Sequence, residues 1–198
     1  MFNLNDSAFD AKEGAAIFNN GKAGVAEDVV VAVAKKKPED KPNSPDYKLT
    51  FTDSKGGACN MSFWYVDKAT EYATVEELVQ KQGKIMKHVI HAIYGSNYQF
   101  ATGFDSAHGL LDGCMKIIRD GLASGVKFRV FANYGSTQSV KQYIQPRSWV
   151  PFMEPMSVDI AETRLKAGNI DAMDRIEKDN FSSTPSAGST TLTAGDDW

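Results

Sequence analysis

Asp46-Tyr47-Lys48-Leu49-Thr50-Phe51-Thr52 places Tyr47, Leu49 and Phe51 against Lys48, Thr50 and Thr52, and this alternation decides the fold. Side chains in a strand point to opposite faces with a period of two, so the segment predicts a strand with one face buried and one in water. Asp53-Ser54-Lys55-Gly56-Gly57 then reads as a hairpin turn, and Asn60 to Val66, with Phe63, Trp64 and Tyr65, as the returning partner. Upstream, the β-branched run from Asp28 to Lys35 predicts a further strand. Pro38, Pro42 and Pro45 close it off with a long loop, because a ladder does not tolerate proline.

Downstream the period changes. Thr74-Val75-Glu76-Glu77 is a capping box, and Leu78, Val79, Gln82, Ile85, Met86, Val89, Ile90 and Ile93 follow at helical spacing. This predicts a helix over about residues 75–93, with Lys81, Lys84, Lys87 and His88 on its outer face. A second helix is expected from Ser106 to Leu122. Two more strands are read at Val126 to Asn133 and Val140 to Arg147, then one or two short helices over 159–178, where Asp159 and Glu162 are spaced as a cap.

Strand, strand, strand, helical insert, strand, strand is a mainly β, α+β arrangement. It suits a five-stranded OB-type Greek-key barrel, whose binding surface is the strand 2 and 3 face flanked by two loops. An immunoglobulin-like sandwich needs more strands, and a doubly wound sheet needs strict alternation of strands and helices. The expected organisation is an N-terminal arm over 1–25, one domain over 26–178 with its helical insert at about 74–122, and a flexible tail over 179–198. The tail is too polar to repay the entropy of ordering it.

The charge pattern suggests a ligand. The net charge is −3, and Asp179, Asp196 and Asp197 lie beyond the last cation, Lys178, so residues 1–178 are formally neutral. From Gly121 to Met153 there is no Asp or Glu, while Lys127, Arg129, Lys141 and Arg147 are interleaved with Phe128, Phe131, Tyr134, Tyr143, Trp149 and Phe152. Cations neutralise phosphates and flat rings stack on unpaired bases, so this pattern points to single-stranded nucleic acid. Lys35, Lys36 and Lys37, with Lys41, make the first flanking loop basic, and Lys48 and Trp64 belong to the strand 2 and 3 hairpin. Lys48, Lys127, Arg129, Lys141 and Arg147 are the expected phosphate contacts. Trp64, Phe131, Tyr134, Tyr143 and Trp149 are the expected stacking rings, with roughly half of such aromatics required by alternation to face the core.

From about Val29 to Phe152 the chain resembles bacteriophage single-stranded DNA-binding proteins of the OB-fold type. The stretch Lys127-Phe-Arg-Val-Phe-Ala-Asn-Tyr134 followed by Lys141-Gln-Tyr-Ile-Gln-Pro-Arg147 looks like the last barrel hairpin of that family. The tip Asp196-Asp197-Trp198 is similar to the acidic, aromatic-ended tails with which its members recruit replication and recombination enzymes, although Trp stands where Phe is usual. The resemblance implies sequence-tolerant, salt-dependent binding of single-stranded DNA, partner recruitment through the tip, and competition between tail and DNA for one groove.

Other classes fit less well. His88 and His91 stand three apart, but Lys81, Lys84 and Lys87 beside them repel a cation, and G-x-x-x-x-G-K-[ST], G-x-S-x-G and H-E-x-x-H do not occur. Asp171, Asp174 and Glu177 read as a solvated face. The expectation is therefore a non-enzymatic protein without cofactor or metal, capable of self-association, with a phage structural or assembly module, or an RNA chaperone, as the rivals. Cys59 and Cys114 have no CxxC companion and read as reduced core residues. With no stretch of about 20 apolar residues and no signal peptide, a cytoplasmic, non-membrane protein is expected.

Overall fold

The computed structural model describes residues 16–100, 103–134, 144–147 and 150–165. The elements run β1 (Gly24–Lys35), β2 (Tyr47–Thr52), β3 (Ala58–Phe63), α1 (Val75–Tyr94), α2 (Ala107–Leu122), β4 (Phe128–Tyr134), β5 (Ile144–Pro146) and β6 (Met153–Pro155). The protein is α+β, with one antiparallel sheet in the order β3-β2-β1-β4-β5 and β6 paired to β4. The sheet is open: among the described residues no ladder joins β3 to β5.

The opening hairpin forms as its alternation requires. Tyr47, Leu49 and Phe51 are buried and pair with Phe63, Met61 and Cys59 of β3. Asp53 shapes the turn, its Oδ1 accepting from the amides of Lys55 and Gly57 at 2.9 Å each. Gly56 there has φ +82°, a conformation that favours glycine. A side chain at Gly57 would strike the backbone of Ile17, because the chain before β1 crosses at that point, with Ile17 bridged to Ala58 and Phe18 buried.

β1 serves two partners. Residues 30–35 pair with β2 and residues 24–29 with β4, and the register shifts between Ala26 and Val29. Asp28 lies in that irregularity with φ +54°, where a bulge redirects the strand from one neighbour to the other.

Both helices start at the expected caps. Thr74 and Glu77 complete the capping box of α1, and the Ser106 side chain accepts from Gly109 N at the start of α2. Ile85, Met86, Val89 and Ile90 of α1 and Leu111, Cys114, Met115 and Ile118 of α2 enter the core of the sheet. Cys59 and Cys114 are buried free thiols, pushed by burial up to about 12 and about 11.

Several expectations need correction. β3 ends at Phe63, so Trp64, Tyr65 and Val66 belong to the connection towards α1. β6 is an element that the sequence pattern does not announce. Asp159 caps a 3-10 turn over Ile160–Glu162 rather than an α-helix, its Oδ1 accepting from Ala161 N. His88 turns inward, towards β6, instead of lying on the outer face of α1. The expected strand over 140–143, the helices over 166–178, most of the N-terminal arm and the tail lie outside the described residues. No helix among the described residues is long and apolar enough to cross a membrane.

Candidate nucleic-acid interface

The face of β1, β2 and β3 that points away from the core is built from cross-strand rows. Ala34, Lys48 and Ser62 form one row, and Ala32, Thr50 and Asn60 the next. Thr50 Oγ1 donates to Asn60 Oδ1 at 2.8 Å. These side chains are short, so the face is a shallow floor on which Lys48 is an exposed cation with no ion pair among the described residues.

Trp64 follows Ser62 where β3 gives way to the connection towards α1, and it is 49% exposed. It is held from both sides. Its carbonyl accepts from Gln82 Nε2 of α1 at 3.1 Å, and the amide of Tyr65 donates to Asp46 Oδ2 at 2.7 Å. Between this connection and α1 opens a cleft of about 630 Å³, bounded by Trp64, Lys68, Leu78, Lys81, Gln82 and Ile85, with Ser62 on its rim. Phe63, Trp64 and Tyr65 also bring aromatic surface to the lining, and its two lysines outnumber its one carboxylate, Asp67, so the chamber suits a flat ligand bearing negative charge.

Behind the cleft a polar cluster fixes the geometry. Asp112 Oδ1 of α2 accepts from Tyr47 Oη at 2.5 Å, Tyr65 Oη at 2.7 Å and Lys35 Nζ at 3.2 Å. Partial burial works to raise the Asp112 carboxyl, but these donors, Tyr47 first, outweigh it and hold the group below the usual range. Burial and the hydrogen bond to Asp112 push Tyr65 up to about 12, so it remains a donor at neutral pH. The other face of Tyr65 stacks on His108, with centroids 4.1 Å apart, and His108 Nε2 lies 2.6 Å from Asp67 Oδ1. Trp64 is thus mounted on a braced stretch of chain.

The remaining candidates divide. Lys36 and Lys37 stay in the β1–β2 loop: Lys36 Nζ donates to the Pro42 carbonyl at 2.7 Å, and Lys37 Nζ lies 3.9 Å from Glu39 in an exposed pair. Lys35, also a predicted contact, is taken up by Asp112, with its ammonium 5.2 Å from the Tyr47 ring centroid. Lys127 is exposed and paired with Asp28 at 3.4 Å.

The predicted track along β4 does not lie on one open face. Arg129 is 9% exposed: its Nε is 3.1 Å from Glu27 Oε1, one terminal nitrogen donates to the Val158 carbonyl at 2.7 Å, and Glu154 lies at 3.6 Å. Arg147 is 4% exposed, donates to the Pro151 carbonyl and lies 4.5 Å from the centroid of Phe131, itself only 1% exposed. Tyr134 is partly buried and donates to the Gly21 carbonyl at 2.8 Å. The physical reason is that β4 is paired on both edges, with β1 on one side and with β5 and β6 on the other, its residues Phe128 to Asn133 are all buried, and the segment around β6 brings Glu154 and the Val158 carbonyl to Arg129. Arg129, Arg147 and Phe131 are therefore withdrawn as ligand contacts. Lys141, Tyr143, Trp149, Asp196, Asp197 and Trp198 lie outside the described residues.

The sequence reading missed Ser62, Lys68 and the cleft itself. Its signal was present in the spacing: β3 ends at Phe63, eleven residues before the Thr74 cap, which leaves a connection long enough to stand away from the helix. Comparison of the chain with protein-family models, curated proteins and solved structures finds no match.

Proposed function

We propose that this chain binds single-stranded DNA with little sequence preference, on the outward β2–β3 face and in the cleft beside it. The observation that carries the reading is Trp64, a half-exposed indole that lines the cleft with Lys68 and Lys81 and stands two residues along the chain from Ser62, the cross-strand partner of Lys48. Indoles stack on any base, and lysines neutralise phosphate without reading sequence, so affinity without specificity is the chemistry on offer. Protection of exposed strands during replication or recombination, with recruitment through Asp196, Asp197 and Trp198, is the role that fits such binding.

The strand path supports an OB-type Greek-key reading of the sheet. One long, bulged first strand is shared by two ladders, both helices fall between β3 and β4, and β3 approaches β5 across the opening. In that architecture the β2–β3 face is the ligand surface, and Lys48 and Asn60 on it are exposed among the described residues.

The test is fluorescence anisotropy of labelled oligo-dT and oligo-U with the whole chain at two salt concentrations. Trp64→Ala is expected to weaken binding by about 1–3 kcal/mol, roughly ten- to a hundredfold, and Lys48→Gln to reduce the salt slope by about 0.7. Equal binding of oligo-dT by the wild type and Trp64→Ala would refute the site. No binding by the wild type, together with concentration-dependent self-association, would favour the assembly role instead.

A further inference from the structure

Helix α1 carries a cationic surface of which the proposed site uses only Lys81. From Leu78 to Tyr94 the helix contains no Asp or Glu, and Lys81, Lys84 and Lys87 are all exposed. A step of three residues rotates about 300° and rises about 4.5 Å, so the three ammonium groups form a band that advances about 9 Å along the helix. Among the described residues none of the three has a carboxylate within ion-pairing distance, whereas Lys116 on α2 is matched by Asp120 at 2.7 Å. Like charges three apart oppose the helix that bears them, so the band concentrates positive potential at a small cost in stability. The Glu77 carboxylate at the start of the helix is engaged by the Thr74 amide and hydroxyl.

The band joins the cleft at one residue. Lys81 lines the cleft with Trp64, and Lys84 and Lys87, both exposed, continue from it along α1 beyond the cleft. We propose that a single strand whose base is held at Trp64 leaves the cleft over α1, with successive phosphates passing Lys81, Lys84 and Lys87. This rests on the nucleic-acid reading above and extends its footprint from the sheet to a helix. A strand that follows this path must be longer than one that fills the sheet face and cleft alone.

The experiment compares wild type, the double variant Lys84→Gln/Lys87→Gln and Trp64→Ala on two oligo-dT strands, of about 8 and about 30 nucleotides, each titrated over a range of salt. Both lysines are exposed, and unchanged thermal unfolding of the double variant verifies its fold. The expected result is a reduction of about 1.4 in the slope of log affinity against log salt for the long strand, about 0.7 for each phosphate no longer neutralised, with the short strand unaffected. At about 0.1 M salt that is a decrease in affinity of tenfold or more. An equal reduction on both strands would overturn the path, because it would mark a general field effect, and so would no reduction on either. If Trp64→Ala leaves both strands bound as tightly as before while the double variant still lowers the long-strand slope, the cleft reading fails and the helix surface stands without it. If the wild type binds neither strand, both readings are overturned.

Discussion

Acidification should weaken this fold through one side chain. His88 Nε2 accepts from the amides of Phe152 and Met153, both at 3.1 Å, and the imidazole lies 4.9 Å from the Phe152 ring. A ring nitrogen that accepts carries no proton, so the imidazole is neutral with its hydrogen on Nδ1. Protonating it would set a third N–H against the two amides. Burial first, then the positive charge of Arg164, lowers His88 from 6.5 to about 4.

The pH window follows from those two values. The folded value lies below the unfolded one, so the unfolded chain takes up the proton first, and stability falls as pH drops from about 6.5 towards about 4. Between pH about 7.5 and about 5 the expected loss is about 2 kcal/mol, a large share of a typical 5–15 kcal/mol total. Urea unfolding at these two pH values, in the wild type and in His88→Gln, measures it. The Gln carbonyl can accept both amides without titrating, and carboxylates contribute equally in the two proteins. Wild type should therefore lose about 2 kcal/mol more than the variant across this interval. Parallel losses would refute the neutral-acceptor role, because they would place the proton uptake elsewhere.

Three further substitutions probe the framework. Gly121→Ala should destabilise by about 1–3 kcal/mol in a thermal melt despite a propensity gain of about 1 kcal/mol, because a Cβ there would overlap Ile93 and Tyr94 where α2 meets α1. Arg129→Gln should cost about 3 kcal/mol in urea unfolding, since it leaves the buried Glu154 carboxylate without its cation and with only the Thr163 hydroxyl and the Arg164 amide as donors, yet leave the salt slope of the proposed oligo-dT binding unchanged; a reduced slope would return Arg129 to the interface. Asp112→Asn should cost about 1–2 kcal/mol by the same assay, as three donors lose a charged acceptor on a partly exposed side chain; an unchanged midpoint would remove the cluster from the account of how Trp64 is held.

The local rules carried most of the architecture. Tyr47, Leu49 and Phe51 announced which side of β2 is buried, and the Thr74 capping box located the start of α1, because both signals depend only on residues a few places apart. His88 escaped this logic. On spacing it belongs with Lys84 and Lys87, but the amides that claim it come from Phe152 and Met153, more than 60 residues away. β6 escaped for the same reason: a strand of three residues has no period to read, and it exists because β4 offers Phe128, Arg129 and Val130 as partners.

The charge pattern failed in a more instructive way. The stretch from Gly121 to Met153 is free of acids in sequence, which makes its arginines look available to phosphate. Arg129 nevertheless has two carboxylates: Glu27 comes from the adjacent strand β1, and Glu154 is the residue immediately beyond the window. Antiparallel pairing brings counter-ions from distant positions, so an acid-free window in one dimension does not define an acid-free surface in three. Burying a guanidinium also demands partners, and Arg129 is buried with the partners it needs. The cations left without carboxylates among the described residues include Lys48 on β2 and Lys81, Lys84 and Lys87 on α1, and their neighbours along the chain are small, neutral or apolar residues. Available positive charge in this protein is therefore found by asking which lysines the fold leaves unpaired, and that question leads to Trp64 and the helix beside it rather than to β4.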